Sequence, residues 1–520
     1  MKNTILRTLK RFYGLKNTRG NWLLDPRPNA SSTCTARCKT EIAMLDDEKY
    51  VEVEATSCEI NSLAWLHKAA PGFPTNGSKI TVVHEPSAFY NLLLNKCQTA
   101  QKRIILASLY LGTGELEAGL VAALEENLVR SNGTVKINIL LDYTRGSRGK
   151  QNSRTMLEPL LKSRWAKSCS VSLYHTPKLR GILKALIPDR FNELVGLQHM
   201  KLYLFDDTLI ISGANLSHDY FTNRQDRYIV IEDCKELCDF YSKLVDRVCE
   251  FSFKLESDGT TTFKSKENIH PYKGRRKNFT DAAAKRIKSL FQEEMEKRSE
   301  ITKHDGISKY DTWIFPLIEM GQLNIRHDSE VTLRLLQTAQ SGATLKLATG
   351  YFNLIPTYRK ALLNDCKATC HLLTAHPTAN GFFGAKGIAG NIPFAYTKIE
   401  ESFCKSCERS GQQNRVTLWE FVRSGWTYHA KGLWYSLPGE QKPCLTLVGS
   451  PNFGYRSVGK DLEAQVALVT RNEGLQTALE AEHTRLFSHA KPVDRKTFKE
   501  RDRVVPTWVI ATVVLFRYFF

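Results

Sequence analysis

No stretch of this 520-residue sequence approaches the ~20 consecutive apolar residues that a membrane-spanning helix needs. Leu111-Gly-Thr-Gly114 lacks the Gly-Lys-Ser/Thr ending that would make it a nucleotide-binding P-loop. The thirteen cysteines are odd in number and scattered, with no secretory signal ahead of them, so they read as reduced thiols of an intracellular protein. Cys34/Cys38, Cys234/Cys238 and Cys366/Cys370 are each four apart, and only Cys404-Lys-Ser-Cys407 has a spacing typical of zinc. A zinc site needs four ligands held together, so buried or loop thiols are the plainer account, and neither a catalytic metal nor a cofactor is expected. Acids are in short supply: 54 Asp and Glu stand against 73 Lys and Arg, a net charge of +19. That excess implies an anionic partner (nucleic acid, anionic membrane or phosphorylated substrate) without choosing among them.

The first 24 residues hold six Lys or Arg and no acid, with Ile5, Leu9 and Phe12 interspersed. Such a segment is similar to a mitochondrial transit peptide, the alternative being a basic disordered tail. Residues 1–45 are therefore expected to be leader. At the other end, Lys491 to Arg503 carries six basic and three acidic residues, and an apolar, aromatic stretch from Trp508 to Phe520 follows. A 491–520 tail of this kind suits docking on an anionic membrane surface, or packing on the protein's own body.

Hydrophobic content of 42% is enough to build ordinary cores. What organises the chain is a repeat. His199-Met-Lys201 returns 230 residues later as His429-Ala-Lys431. Ser212-Gly213-Ala-Asn215 follows the first copy and Gly449-Ser450-Pro-Asn452 the second, and an acid stands eleven residues after each Asn, Asp226 and Glu463. In both copies the interval from His-x-Lys to Asn reads as a hairpin, seven residues longer in the second and turned by Leu437-Pro-Gly-Glu440. Upstream, the apolar runs Ile104–Tyr110 and Leu345–Tyr351 match as buried strands. Duplication predicts a first lobe over 46–255, a linker and helix over 256–304 with the helix from Thr280 to Lys297, and a second lobe over 305–490. Strands alternating with helices in each half predict an α/β layered fold. In the first lobe, strands are predicted at 79–84, 103–110, 135–142, 170–175, 201–205, 208–213 and 227–231, and helices at 87–100 and 115–130.

Two histidines with two lysines are suited to displacement at a phosphodiester phosphorus. A neutral imidazole is a good nucleophile near pH 7 because its pKa is about 6.5. An acid on the other ring nitrogen fixes the tautomer, and Asp226 and Glu463 are the candidates. Lys201, Lys431, Asn215 and Asn452 are expected to hold the non-bridging oxygens, with Ser212 and Ser450 as further donors. Gly213 and Gly449 are expected to let the backbone approach the phosphate. Gly112, Thr113 and Gly114 form either a phosphate cradle or a tight turn. Arg145, with Arg148, is a candidate anion contact or a solvated turn residue. Asn380, in Thr374-Ala-His-Pro-Thr-Ala-Asn-Gly381, is a candidate substrate contact on the loop after a second-lobe strand.

The arrangement resembles the phospholipase D superfamily, whose signature is His-x-Lys-x4-Asp followed by Gly-x-x-Asn or Gly-Ser-x-Asn. The first copy fits through His199, Lys201, Asp206, Gly213 and Asn215; in the second, Ser436 stands where the Asp would be. Within the superfamily, four phrases resemble the eukaryotic phosphatidylglycerophosphate synthases: Ser108–Gly114, Thr374–Gly381, Tyr428–Trp434 and Gly449–Arg456. The likeness spans about residues 50 to 490. It implies two α/β/α sandwich lobes about a pseudo-twofold axis with the active site between them. It also implies His199, Lys201, Asp206, His429 and Lys431 as catalytic, CDP-diacylglycerol and glycerol 3-phosphate as substrates, and a peripheral place on the mitochondrial inner membrane. His199 is then the nucleophile that forms a phosphohistidine and releases CMP, and His429 the base for the acceptor. The alternatives are a hydrolase of the superfamily (phospholipase, nuclease or tyrosyl-DNA phosphodiesterase) and an inactive lipid-binding protein. No nucleic-acid-binding module accompanies the basic charge, so no nucleic-acid partner is expected.

Overall fold

The computed structural model describes residues 60–264, 269–305 and 310–509. The basic leader, Cys34, Cys38 and most of the aromatic end lie outside those residues. Among the described residues no helix is long and apolar enough to cross a membrane.

Two nine-stranded sheets, counted over the described residues, repeat one topology. In the first the order is Ile80–Val83, Tyr228–Ile231, Thr208–Ser212, Leu202–Phe205, Arg103–Ala107, Lys136–Asp142, Cys169–Tyr174 and Phe253–Leu255, with Thr261–Thr262 at the edge. In the second the matching order is Thr312–Met320, Leu462–Thr470, Leu445–Gly449, Lys431–Ser436, Thr344–Thr349, Thr369–Ala375, Val416–Phe421 and Ala490–Val493. The three strands on the far side of each His-x-Lys strand run parallel and are joined by helices; the hairpins between His-x-Lys and the acid run antiparallel. Strand positions follow the apolar runs, since Ile104–Ala107 and Leu345–Ala348 are buried on both faces apart from Lys346.

After each acid-bearing strand comes a helix that packs between the sheets, Lys235–Cys249 in the first half and Glu473–Ser488 in the second. The former buries Leu237, Phe240, Tyr241, Leu244, Val245 and Val248, a single stripe at helical spacing. Each such side chain contributes about 1.5–3 kcal/mol on burial. The linking helix, Arg276–Asp305, outruns the predicted 280–297 at both ends and lays Phe279, Ala283, Ile287 and Leu290 into the same central core. One apolar cluster thus joins both sheets, and separate clusters fill the outer face of each.

One segment sits elsewhere than the sequence suggested, and the start of the tail takes the second of its two readings, packing on the protein's own body. Phe73–Thr75, expected in the first lobe, pairs antiparallel with Thr312–Ile314 and extends the second sheet. The start of the tail also joins that sheet, as Ala490–Val493 pairs with Leu418–Phe421 and the Arg503 guanidinium lies buried against Glu420. An edge strand offers unpaired amides and carbonyls, and these short segments cover them.

Candidate active site

The two histidines meet where the sheets meet, and the backbone brings them there by a pair of matching bridges. Gln198 bridges in parallel to Leu462, and the amide of His199 donates to Leu462 O at 2.8 Å. In the other direction Tyr428 pairs with Gln225, and the amide of His429 donates to Gln225 O at 2.8 Å. The residue before each His therefore lies beside the residue before the acid of the opposite half. The side chains follow: His199 Nδ1 lies 2.8 Å from Glu463 Oε2, and His429 Nδ1 lies 2.6 Å from Asp226 Oδ2. A carboxylate only accepts, so Nδ1 of His199 carries the proton and Nε2 the lone pair; the shorter bond to Asp226 favours the same tautomer in His429, whose Nδ1 also has Lys431 Nζ beside it.

The two Nε2 atoms differ in what covers them. Tyr220 Oη lies 3.3 Å from His429 Nε2, its ring edge-on to the imidazole. No such partner meets His199 Nε2 among the described residues; its side chain retains 13% exposure against 6% for His429. Surrounding charge differs as well. Asp461 lies two residues before Glu463, whereas Arg224 lies two before Asp226. Burial lowers the pKa of His199, opposed by Glu463 and Asp461. Burial, Lys431, Arg224 and Lys201 together push His429 well below the ordinary imidazole value. Burial works to raise Glu463, but His199 and Lys201 overcome it and hold its carboxyl at about 2.

Lys201 and Lys431 are fully buried at the centre, their Nζ atoms donating to His199 O at 2.8 Å and His429 O at 2.6 Å. Lys431 Nζ also lies 2.7 Å from His429 Nδ1 and 3.6 Å from Asp226 Oδ2. Asn215 is buried with an Oδ1 that has no hydrogen-bond partner, while Asn452 Oδ1 lies 3.2 Å from Thr349 Oγ1. Ser212 and Ser450 face the acid-bearing strands: their hydroxyls donate to Arg227 O at 2.6 Å and Ala464 O at 3.2 Å, each the residue after an acid.

Several expectations are corrected. Asp206 does not join the histidines. It turns the hairpin at φ 52° and accepts the amides of Gln101, Lys102 and Arg103 at 2.7–3.0 Å. In the second copy Ser436 lies on the strand away from the histidines and its hydroxyl donates to Gln441 O at 3.2 Å, within its own longer hairpin loop. Of the two readings of Leu111–Gly114 the contacts fit the tight turn: its amides at 111, 112 and 114 are taken by Ser153, Leu216 O and the Glu117 carboxylate. Gly213 makes room for protein, since a Cβ there would lie 2.6 Å from Asp226 Oδ1 and 2.8 Å from Lys431 Nζ. At Gly449 a Cβ would meet Gln465 Cα at 2.4 Å. Arg145 and Arg148 both pair with Glu193, and Arg145 also stacks 4.1 Å over Tyr110. Asn380 holds its own loop through Phe382 N; next to it, a Cβ at Gly381 would lie 3.2 Å from Tyr351 Oη and 3.5 Å from Arg224 Nη2. That loop therefore abuts the His429 side of the site.

One group could bind a cation: ligand atoms of His199, Asp461 and Glu463 lie within 4.8 Å of one another. Each is already engaged, Asp461 by the Leu197 amide and Arg456, and Glu463 by His199. Cys404 and Cys407 have no third ligand beside them among the described residues.

Comparison with known proteins places this geometry. The family described as "Cardiolipin synthase, PLD-like domain" matches residues 93–248. The mitochondrial CDP-diacylglycerol–glycerol-3-phosphate 3-phosphatidyltransferase of Homo sapiens is 46% identical over 89% of this chain and 86% of its own length. The chain belongs to that family. The Saccharomyces cerevisiae member is 35% identical over 85% of this chain and 88% of its own length. Among solved structures, a phosphatidylserine synthase from Haemophilus influenzae superposes with a TM-score of 0.65 at 17% identity, covering 88% of this chain and 98% of that one. It shares the fold.

For this 3-phosphatidyltransferase family member, sequence reading missed Tyr220, Arg224, Asp461 and Tyr351. A signal for the first three was present, because each breaks the repeat: Ser457 stands at the offset of Tyr220, and Asp461 at that of Arg224. Tyr351 was quoted only as the end of a strand; its ring stands edge-on to His429, 5.7 Å between centroids.

Proposed function

We propose that the chain transfers the phosphatidyl group of CDP-diacylglycerol to glycerol 3-phosphate in the mitochondrion, through a phosphohistidine on His199. The observation that carries this reading is the pair of crossed imidazole–carboxylate bonds, 2.8 and 2.6 Å, which leave an open Nε2 lone pair on His199. That nitrogen attacks phosphorus. The bond from phosphorus to the CMP oxygen breaks, and CMP leaves readily because its last ionisation lies near pH 6. Lys201, Lys431, Asn215 and Asn452 hold the non-bridging oxygens as charge accumulates. In the second step His429 Nε2 takes the proton of the acceptor's primary hydroxyl; the hydroxyl oxygen bonds to phosphorus and the P–N bond breaks, which restores His199. Two displacements give retention at phosphorus. His429 suits the base role because burial and its cationic neighbours keep it neutral.

The membrane-bound donor calls for a surface contact, and the short helix Gly181–Leu186, just before the His199 segment, is its candidate. It exposes Ile182 at 60% and Leu186 at 68% beside Lys184. Apolar residues flanked by cations suit an anionic bilayer surface.

The test is purified protein with CDP-diacylglycerol, with and without glycerol 3-phosphate. CMP release that requires the acceptor and yields phosphatidylglycerol phosphate supports the reading. Phosphatidic acid as main product means hydrolysis, and retained turnover in His199→Asn removes the nucleophile assignment.

A further inference from the structure

The repeat gives both halves the same catalytic parts, yet only one imidazole is capped. Tyr220 lies five residues after Asn215, on the short helix His218–Thr222, and its hydroxyl reaches His429 Nε2 across the lobe boundary at 3.3 Å. Five residues after Asn452 stands Ser457, whose hydroxyl instead accepts the Asn452 amide. Tyr220 is 4% exposed, its ring lies 5.0 Å from that of His429, and the Arg224 guanidinium lies over the ring, 4.8 Å from its centroid. The phenol is therefore aimed, with no room to swing freely. In the tautomer that the 2.6 Å bond to Asp226 favours, with the proton on Nδ1, the Tyr220 hydroxyl is the donor and His429 Nε2 the acceptor.

A base whose lone pair is already bonded cannot take a proton from an arriving molecule. We propose that Tyr220 is a positioning residue that guards His429, withholding the base from water until the acceptor alcohol displaces the phenol. This rests on the phosphohistidine reading above. The danger for such an enzyme is the covalent intermediate. A water deprotonated by His429 Nε2 would bond through its oxygen to phosphorus, the P–N bond to His199 would break, and phosphatidic acid would be released. Water brings little binding energy with which to exchange one hydrogen bond for another. An alcohol held by a phosphate does, and Arg224, paired with the half-exposed Asp219 at 2.8 Å, its guanidinium beside the Tyr220 ring and its charge felt by His429, stands where that phosphate would be drawn in competition with Asp219. Binding energy of the correct acceptor is thus spent on uncovering the base.

Tyr220→Phe removes one hydroxyl and keeps the ring. With CDP-diacylglycerol and no acceptor, this variant should release phosphatidic acid about three- to tenfold faster than the parent protein, the span one neutral hydrogen bond commands. With glycerol 3-phosphate the ratio of phosphatidic acid to phosphatidylglycerol phosphate should rise similarly. Exchange of labelled CMP into CDP-diacylglycerol, which needs His199 and no acceptor, reports that the site is assembled. The double variant Tyr220→Phe/His429→Asn should lose the added hydrolysis, because that hydrolysis runs through the uncovered nitrogen. An unchanged product ratio in Tyr220→Phe overturns the proposal, and so does added hydrolysis that persists in the double variant, which would mean loosened packing. Neither result touches the transferase reading, whose own failure would appear as absent CMP exchange in the parent protein.

Discussion

His199 Nδ1 sits 2.8 Å from Glu463 Oε2, although 264 residues separate them along the chain. The complementary pair, Asp226 with His429, spans 203 residues in the same crossed sense. Each half therefore supplies the acid that orients the other half's imidazole, and neither half holds a complete His–acid pair.

Splitting the two acids should split the reaction. Glu463→Gln lets the amide donate to His199 and favours the wrong tautomer, so formation of the intermediate and release of CMP should fall by about 10²–10⁴. Asp226→Asn should spare much of the first step and stall the second, giving a burst of CMP and a protein-bound phosphatidyl group detectable by intact mass. Equal loss of both steps in both variants would contradict the division of labour.

Gly213→Ala is expected to fold and to lose activity. Its Cβ would enter the space of Asp226 Oδ1, 2.6 Å away, and of Lys431 Nζ, 2.8 Å away. Displacing that carboxylate unseats His429, and a misplacement on the order of 1 Å costs about 10²-fold in rate. Steady-state transfer beside a circular dichroism melt would check both halves of the statement.

Stability should depend on one buried ion pair that also crosses between halves. Arg227, fully buried, grips both oxygens of Glu482 at 2.8–2.9 Å, bonds Leu447 O and Thr446 Oγ1, and stacks 3.8 Å over Trp434. Arg227→Met leaves the Glu482 charge uncompensated and should cost about 3–5 kcal/mol in denaturant unfolding. Replacing both partners with apolar residues should cost less.

Alkaline pH should weaken the fold through the acids behind Glu463. Glu319, paired across the strands with Glu463, is raised to about 8 by burial and by Asp328; Asp328 is raised to about 7, chiefly by burial. Unfolded, these carboxyls titrate near 4. A raised folded value means that stability is fully present below about pH 4 and is lost as pH climbs through 7 to 8. The melting temperature should fall between about pH 4 and 8, and Glu319→Gln should flatten that slope.

Membrane attachment should weaken when the exposed face of Gly181–Leu186 is made acidic. Ile182→Asp with Leu186→Asp ought to reduce flotation with anionic vesicles severalfold, while turnover of a short-chain, soluble donor stays close to that of the parent. Flotation unchanged by the pair would move the contact elsewhere.

Much of this was legible from residue order. Apolar runs such as Ile104–Ala107 declared their strands because a strand buried on both faces has no polar positions to hide. The duplicated His-x-Lys, Asn and acid announced a two-part site, since such spacing is improbable twice without a shared ancestry of form. Asp206 misled because a motif letter does not say whether a carboxylate faces a ligand or three amides. Between cradle and tight turn at Leu111–Gly114 residue order could not choose, because the partners of its amides, Ser153, Leu216 and Glu117, come from other parts of the fold.

Sequence alone determined the architecture, the inventory of reactive groups and the count of two, because periodicity and composition are local properties. Only the tertiary structure decided the crossing of acids and imidazoles, the occupation of one Nε2 by Tyr220, and the placing of cations beside His429 and acids beside His199. Those are contacts between residues hundreds of positions apart, fixed by how two sheets share one core, and no local pattern encodes them.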